Sequence, residues 1–452
     1  MNDILAAQRR YFQTGATRDL KFRKAMLTRL EQALVRSEPE LLAALKADLN
    51  KTKFEAYATE LGIVRAELRL ARKELDRWAA PRRVPMPLAQ FPSKGTVYAE
   101  PYGAALIIAP WNYPVQLTLV PLVSAIAAGC TAVVKPSEHA PATSALLAKL
   151  LGEVYARHYV HVVEGAVEAT SALLAAPFDY IFFTGGAQVG RVVMRAAAEH
   201  LTPVTLELGG KSPVIVAPDA DLDLAARRIV WGKFLNAGQT CVAPDHVWVR
   251  PDQRDALVAA MGKYIAKFYG PDPLAGQDLP RIVNRRHYDR LCALLPSGRT
   301  AVGGRTDPEG LRISPTVLVD VGEDEPVMAE EIFGPILPVL TYGDLDGLIA
   351  HLVDKPRPLA LYLFTRDKAT ERRVLGSLSF GGGCVNDTIV HLAAGGLPFG
   401  GVGASGMGAC HGKAGFDTFT HRKSVLKKGR LDVPVRYPPY HDGRVGLLKK
   451  LM

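Results

Sequence analysis

Two side chains in the sequence could carry covalent catalysis. Cys241 ends the motif NAGQTC, a glycine-containing turn after the helical pattern AARRIVWGKFL, where a small side chain can face a cleft. An ordinary thiol has a pKa of about 8.5 and is only slightly ionised at neutral pH, so a reactive one needs a partner. Glu207, in LELGGKSP, ends an apolar strand before two glycines, and strand ends are where α/β sites assemble. Taken singly, a buried structural cysteine and a surface glutamate are the alternatives.

A second group of residues follows strands and could bind a polar ligand. Asn112, in the proline-bounded loop PWNYP, could donate its amide to a developing oxyanion. Lys135 and Glu138, in KPSE, follow the next strand at a position that suits ribose hydroxyls. Gly185 and Gly190, in TGGAQVGR, bound a strand-to-helix turn whose amides could face a pyrophosphate. This GxxxxG spacing lacks the GxGxxG and GK[ST] signatures, so by itself it is a weak pattern.

Three further side chains are candidates on looser grounds. Glu331 and Phe333, in EEIFGP, resemble an exposed helix end beside a proline when they are considered alone. Trp231 lies ten positions before Cys241, on the predicted helix that precedes the NAGQTC turn. It could line an apolar tunnel, or it could be a core tryptophan, and the pattern does not separate the two.

The elements that must position these residues alternate between strand and helix. Apolar and charged residues at helical spacing predict two or three amphipathic helices in the first eighty residues. The four prolines of PRRVPMPLAQFPSKG predict an extended arm or hairpin. Short β-branched runs then alternate with helical segments in two series, from GAALIIAP to PVTLELGG and from SPVIVA to GGGCVND, which is typical of parallel βαβ units. The final strand-like segment, GFDTFTHRKSVLKKGR, could pair with the arm.

Composition indicates a folded cytoplasmic protein of two or three domains. The chain has 452 residues, 48% of them hydrophobic and 22% charged, and acid and base interleave at the N-terminus without a signal-like apolar run. The apolar run 117–134 has the length of a membrane span, but Pro121 suits a helix start and Gly129 a helix end. We therefore expect a short buried helix followed by a strand, and no transmembrane segment.

The cysteines and the charge distribution argue against a disulfide framework, a metal site and nucleic-acid binding. Five scattered cysteines without a CxxC pair make a disulfide framework or a metal site unexpected. The net charge of +10 gathers partly in HRKSVLKKGR and RVGLLKKLM, without the basic stripe and stacking aromatics that nucleic-acid binding requires. The tail RVGLLKKLM could make weak peripheral contact with an anionic membrane.

Together these motifs resemble the aldehyde dehydrogenase superfamily in identity, order and spacing over nearly the whole chain. PWNYP, KPSE, LELGGKSP, NAGQTC, EEIFGP and LPFGGVGASGMG all occur in that order, and HGKAGFDTFTHRKSV with RYPPY is similar to the class 3 branch. The resemblance implies NAD(P)-dependent oxidation of medium-chain aliphatic or aromatic aldehydes to carboxylic acids. It also implies a homodimer, with contacts from the arm near residues 81–99 and the C-terminal strand region.

The resemblance also assigns roles to matching residues. It implies that Cys241 is the nucleophile, that Glu207 is the general base, and that the Asn112 amide and the Cys241 backbone N–H form the oxyanion hole. For the cofactor, it implies adenine-ribose contacts for Lys135 and Glu138, a pyrophosphate turn at Gly185 and Gly190, a nicotinamide-ribose contact for Glu331 and ring packing by Phe333.

One departure and two rival functions bear on this assignment. Relatives often carry a polar side chain at the position of Gly186, which could reach a phosphate. A CoA-acylating or acyl-phosphate-reducing enzyme commonly lacks the glutamate found here at 207, and a non-catalytic protein need not keep all three reactive groups.

Glu138 can accept hydrogen bonds from ribose hydroxyls but would repel a 2′-phosphate, which favours NAD, although class 3 relatives often use both cofactors.

We therefore expect an α/β fold with a Rossmann-like cofactor domain, an α/β catalytic domain and a small bridging or oligomerisation element. The predicted boundaries are 1–80 and 100–208 for the cofactor domain, 209–384 for the catalytic domain, 81–99 and 411–452 for the bridging element, and 385–410 for a return to the cofactor domain.

Overall fold

The chain begins with a set of amphipathic helices. A computed structural model describes residues 2–431, 437–446 and 449. Two helix starts are capped by side chains: Asp19 accepts the Lys21 N–H, and the Thr52 hydroxyl accepts the Glu55 N–H. A π-helical turn, Tyr57–Leu61, joins the last two helices. The helices are α1 (Asn2–Gln13), α2 (Leu20–Arg36), α3 (Glu38–Leu49), α4 (Lys53–Ala56) and α5 (Gly62–Ala79).

The proline-rich segment forms the predicted hairpin. Strand β1 (Arg82–Val84) pairs antiparallel with β2 (Ser93–Pro101), with Val84 opposite Gly95. Of the four prolines, Pro81 immediately precedes β1 and the other three lie between the two strands, where no ladder N–H is required.

The first series of βαβ units forms a parallel sheet in the order β7-β6-β3-β4-β5. Its strands are buried along most of their length, which explains their continuous apolar runs. The elements are β3 (Ala104–Ile108), α6 (Gln116–Ala128), β4 (Thr131–Lys135), α7 (Pro141–Val154), β5 (Val160–Val162), α8 (Val167–Leu174), β6 (Tyr180–Thr184), α9 (Ala187–Ala198) and β7 (Val204–Glu207).

The long apolar run divides into helix and strand as predicted, but the predicted helix start was wrong. Pro121 lies inside α6, which begins at Gln116. The helix starts earlier because the Glu60 carboxylate accepts the N–H groups of Val115 and Gln116, which supplies the cap that the local sequence lacks. Gly129 ends the helix in a left-handed conformation, as expected.

The second series forms a larger sheet in the order β10-β13-β14-β9-β8-β15-β16, parallel except where β10 meets β13. The predicted α/β class with parallel sheets is thus confirmed. The elements are β8 (Pro213–Val216), α10 (Leu222–Phe234), β9 (His246–Val249), α11 (Pro251–Tyr269), α12 (Arg285–Cys292), β10 (Arg299–Val302), β11 (Thr306–Asp307), β12 (Arg312–Ile313), β13 (Thr316–Val319), α13 (Pro326–Ala329), β14 (Ile336–Thr341), α14 (Leu345–Val353), β15 (Ala360–Phe364), α15 (Lys368–Ser377) and β16 (Gly382–Val385).

The chain then returns to the first sheet and to the hairpin. Strand β17 (Gly406–Met407) pairs antiparallel with β7, and α16 (Gly412–Thr418) packs into the core around α5 and α6. Strand β18 (Thr420–Lys428) pairs antiparallel along the whole of β2, giving the sheet β1-β2-β18. The bridging element was predicted to begin at residue 411. Helix α16 instead packs into the core around α5 and α6, where Phe416 is fully buried.

Within the residues that the structure describes, no helix combines the length and apolar character needed to cross a membrane. Most of the tail RVGLLKKLM, for which the sequence predicts peripheral membrane contact, lies outside the described residues.

Candidate active site

A tightly wound loop after α10 carries Cys241. Asn236, Ala237 and Gly238 all have left-handed backbone conformations, with φ of 53°, 52° and 74°. Glycine is required at 238, because a β-carbon there would overlap the Gly334 carbonyl. The chain then leaves this turn toward Cys241, whose partly buried side chain packs against the core of the second sheet.

The side chain of Gln239 fixes this loop from inside. Its Nε2 donates to the carbonyl oxygens of Asn236 at 3.1 Å and Arg281 at 3.0 Å, and its Oε1 accepts the Val283 N–H at 3.0 Å. A buried amide with its donors and acceptor satisfied in this way holds a single orientation. The glutamine of NAGQTC is thus a structural support for the turn that bears the thiol.

The PWNYP loop, which follows β3, lies directly against the cysteine loop. Asn112 is buried, and its side-chain Nδ2 donates to the Gln239 carbonyl at 3.0 Å. The neighbouring Tyr113 hydroxyl is 2.6 Å from the Thr240 hydroxyl. The Asn112 amide has a second N–H that this carbonyl does not take. The structure thus brings Asn112 next to the loop that bears Cys241.

Glu207, at the end of β7, is a buried carboxylate close to the same thiol. Neither of its carboxylate oxygens has a hydrogen-bond partner among the described residues. Burial raises the pKa of Glu207 well above its ordinary value of 4.5. The pKa of the Cys241 thiol is raised by burial first, and then by the negative charges of Glu331 and Glu207.

Glu331 lies against the glycine pair that follows Glu207. A β-carbon at Gly209 would overlap the Glu331 carboxylate, so the side chain of Glu331 lies directly on the glycine backbone. Burial, reinforced by the charge of Asp245, raises the pKa of Glu331 to about 8. Helix α13 ends before Glu331 and the side chain is largely shielded from solvent, so the resemblance to an exposed helix end was misleading.

Phe333 connects the EEIFGP loop with the PWNYP loop. Its ring meets the Trp111 ring edge-on, with centroids 5.5 Å apart, and the Trp111 ring lies 5.5 Å from the imidazole of His287. Burial and the neighbouring Arg290 lower the pKa of His287 to about 4, so the imidazole is neutral. The sequence gives no signal for His287, because RRHYDRLC shows only an amphipathic helix and no motif.

Lys135 and Glu138 lie together at the carboxyl end of β4. The Lys135 side chain is buried, and its Nζ donates to the Pro136 carbonyl at 2.7 Å and to Glu138 Oε2 at 3.4 Å. The Glu138 side chain is 36% exposed, so its carboxylate can meet a ligand from solvent. This edge of the first sheet presents both a cation and an anion.

The glycines of TGGAQVGR shape the start of α9. The Gly185 N–H donates to the Glu207 carbonyl at 3.0 Å, and a β-carbon at Gly190 would lie 2.8 Å from Leu208 Cδ2. Both contacts tie the turn to the segment around Glu207. By contrast, a β-carbon at Gly186 would meet no atom within 4 Å, so packing does not require glycine at that position.

Trp231 is 41% exposed on α10, which excludes the core alternative. The next residue, Gly232, packs so closely on Thr388 that a β-carbon would overlap its hydroxyl. The indole therefore lies on the surface of the helix that leads into the cysteine loop.

Three buried charged side chains of the N-terminal helices also reach this site. Lys51, Glu55 and Glu60 contact the PWNYP and NAGQTC loops from α4 and its flanking turns. The sequence does not distinguish them, because charged residues in KTKFEAYATEL have the spacing of a solvated helix face.

The comparison with known proteins agrees with this geometry. Residues 1–425 match the Aldehyde dehydrogenase family. The chain belongs to the aldehyde dehydrogenase family. It is 50% identical to the 4,4'-diaponeurosporen-aldehyde dehydrogenase of Staphylococcus aureus over 95% of this chain and 94% of that protein. It is 46% identical to aldehyde dehydrogenase family 3 member B1 of Homo sapiens over 99% of this chain and 96% of that protein.

Solved structures of aldehyde dehydrogenases have the same fold. The substrate-bound state of Staphylococcus aureus AldH superposes with a TM-score of 0.97 at 48% identity, covering 99% of this chain and 98% of that one. The NAD+ complex of a Mycobacterium tuberculosis aldehyde dehydrogenase superposes with a TM-score of 0.85 at 30% identity, covering 95% and 90%. This protein is an NAD(P)-dependent aldehyde dehydrogenase, and it oxidises aldehydes to carboxylic acids through an enzyme thioester.

Proposed function

We propose that Cys241 is the nucleophile of this aldehyde dehydrogenase, that Asn112 stabilises the oxyanion and that Glu207 is the general base. One observation carries the assignment. Glu207 is a buried carboxylate at the end of β7, with both oxygens free of hydrogen bonds within the described chain. Such an arrangement costs folding free energy, and groups buried at that cost are concentrated at catalytic sites.

The roles follow from the needs of aldehyde oxidation. Cys241 Sγ attacks the carbonyl carbon and makes it tetrahedral, while the free N–H of Asn112 and the Cys241 backbone N–H receive the developing oxyanion. Bound NAD(P) supplies the hydride acceptor that converts this adduct into the thioester. Glu207 then takes a proton from a water, which attacks the thioester, releases the acid and restores the thiol.

The residues present fit the dinucleotide. Gly186 leaves open space at the start of α9, a helix of twelve residues, where backbone N–H groups favour a pyrophosphate. Lys135 and Glu138 would hold the adenine ribose. Glu331 would hold the nicotinamide ribose, and Phe333 would pack near the ring. The half-exposed Glu138 carboxylate repels a 2′-phosphate, so NAD is preferred over NADP.

The substrates are apolar aldehydes, aliphatic of medium chain length or aromatic. The exposed indole of Trp231, on the helix that leads to Cys241, offers such a chain an apolar wall. A relative that shares half of its residues with this chain is named for one aldehyde, 4,4'-diaponeurosporen-aldehyde.

An aldehyde series assayed by NADH formation tests this substrate class. We expect kcat/KM to rise with chain length from acetaldehyde to decanal and to be high for benzaldehyde, because each buried methylene contributes about 0.8 kcal/mol. Trp231→Ala should flatten the series, while Trp248→Phe should keep it, because Trp248 packs on the face of the second sheet opposite to the one that Cys241 contacts. Activity confined to short, polar aldehydes would refute the substrate class.

The enzyme is a homodimer in which the sheet β1-β2-β18 takes part. Strand β18 has one strand neighbour, β2, within the described chain, and both of its faces are exposed, with Val425 on one face and Leu426 on the other, at 42% and 46% exposure. A long edge strand with apolar side chains is a template for pairing with a second copy. Sedimentation at micromolar concentration should give the dimer mass, and a monomer only would refute the assembly.

The compartment is the cytoplasm. All five cysteines are free in the structure, and the proposed mechanism needs Cys241 reduced. A reducing compartment keeps thiols in that state. Fractionation of the source cells with an antibody against this chain should recover it with cytoplasmic proteins, and recovery from an oxidising compartment would refute the placement.

A further inference from the structure

An ion pair lies fully buried beneath the two loops of the site. Lys51 Nζ is 2.6 Å from Glu60 Oε1, and both side chains are 0% exposed. Neither residue belongs to the loops: Lys51 lies between α3 and α4, and Glu60 lies in the π-helical turn before α5. Burying two charges costs several kcal/mol, so such a pair contributes little net stability.

The lysine holds the PWNYP loop at Asn112. Its Nζ donates to the Asn112 carbonyl at 2.9 Å and lies 4.1 Å from the centre of the Tyr113 ring. The amine thus touches the backbone of the proposed oxyanion donor and the face of the next residue.

The glutamate holds the other end of the same loop. Glu60 Oε2 accepts the N–H of Val115 at 2.8 Å and the N–H of Gln116 at 3.3 Å, where α6 begins. The ion pair therefore fixes the chain on both sides of the short segment 112–115.

The same carbonyl joins this clamp to the cysteine loop. The side-chain Nδ2 of Asn236 also donates to the Asn112 carbonyl, at 2.8 Å, and the Asn236 N–H is accepted by Glu55 Oε1 at 2.7 Å. One acceptor thus receives donors from the N-terminal helices and from the loop that bears Cys241. Any movement of Lys51 changes the position of Asn112 relative to the thiol.

We infer that Lys51 and Glu60 are positioning residues for thioester formation, acting by setting the Asn112 amide against Cys241; this rests on the roles given to Asn112 and Cys241 above. The pair touches no reacting atom in this scheme. Its effect is geometric, and a misplacement of about 1 Å at a reacting centre can lower a rate about 100-fold.

The test replaces both members of the pair, so that neither is left without its partner. Lys51→Met/Glu60→Gln should lower the rate of the NADH burst about 10- to 100-fold, because Asn112 loses its fixed position. The KM for NAD should stay within about twofold, since the pair does not contact the proposed cofactor residues. The matched control is Lys24→Met/Asp76→Asn, which removes an exposed pair of the same 2.6 Å separation and should keep the wild-type burst rate.

A double-mutant cycle with Asn112→Ala separates positioning from a general structural role. If the pair acts through Asn112, its replacement lowers the burst rate in the wild-type background but adds almost nothing once Asn112 is alanine. An equal loss in both backgrounds overturns the inference. If Asn112→Ala alone keeps the wild-type rate, the proposed oxyanion role fails, and the inference falls with it for that distinct reason.

A milder variant covers the case in which the double replacement does not fold. Glu60→Asp keeps the charge but is one methylene too short to reach both Lys51 and Val115. Its thermal midpoint should remain near that of the wild type, while the burst rate falls about 3- to 10-fold. A folded Glu60→Asp enzyme with the wild-type burst rate would overturn the inference.

Discussion

Replacing Glu207 by Gln tests the assignment of the general base most directly. The amide keeps the shape of the side chain but cannot take a proton from water. Because neither carboxylate oxygen has a hydrogen-bond partner among the described residues, the change breaks no side-chain hydrogen bond. It also removes a carboxyl group that burial disfavours in its ionised form. We therefore expect Glu207→Gln to fold with at least wild-type stability, which isolates the chemical effect.

The size of that effect follows from which step uses the carboxylate. A positioned general base contributes about 10²- to 10⁴-fold, or roughly 3–5 kcal/mol of barrier. Only hydrolysis of the thioester should lose this contribution, because attack by Cys241 and hydride transfer precede it. The steady-state rate should therefore fall by that factor, while one NADH forms rapidly per active site.

Rapid mixing with an aldehyde and NAD, followed by intact-protein mass spectrometry, measures both outcomes. The variant should show a burst of about one NADH per site and an acyl adduct on Cys241. Wild-type turnover should rise with pH as Glu207 ionises, because the pKa of this carboxyl is raised, and the variant should lose this rise. Normal turnover in Glu207→Gln would refute the assignment, as would an acyl adduct that accumulates in Glu331→Gln instead. Cys241→Ala should show neither burst nor turnover.

Three further outcomes are expected. Glu138→Gln should lower the preference for NAD over NADP about fivefold in kcat/KM, because a half-exposed charge repels a phosphate by about 1 kcal/mol; an unchanged ratio would contradict this. Gly190→Ala should lower the thermal midpoint and weaken NAD binding, because its β-carbon would overlap Leu208 and cost about 1–3 kcal/mol of stability. Gly186→Ala, whose β-carbon would lie in open space, should not lower the midpoint. Burial raises the pKa of Glu331 from 4.5 to about 8 in the folded state, so the free energy of unfolding should fall by roughly 5 kcal/mol as the pH rises from below 4.5 to 8. Denaturation curves of Glu331→Gln measured over this pH range should lack the decline. Parallel pH dependence of the two proteins would refute this expectation.

The sequence predicted the elements whose identity depends on local pattern. Buried parallel strands such as Tyr180–Thr184 and Ala360–Phe364 are apolar runs bounded by turn residues, and both were expected. The short strands between residues 299 and 313 were missed because they are polar and only two to four residues long. Pro121 was misplaced because the cap of its helix comes from Glu60, which is distant in sequence.

The candidate site divides in the same way. Recognisable sequence motifs contain Cys241, Glu207 and Asn112, and the structure brings these residues together from the two sheets. The support beneath them could not be predicted, because Lys51 and Glu60 differ from surface charges only in what the fold packs over them. Whether a charged side chain is buried depends on the tertiary structure, so the helical periodicity of the sequence does not reveal it.

The return of α16 to the first core has a consequence for how the chain assembles during synthesis. Phe416 and Phe419 complete the core around α6, but they leave the ribosome only after the whole second sheet has been made. The N-terminal helices and the strands β3 to β7 must therefore wait with apolar surface uncovered while β8 to β16 emerge. A nascent chain of this enzyme stopped before residue 411 should bind chaperones more strongly than one extended through β18.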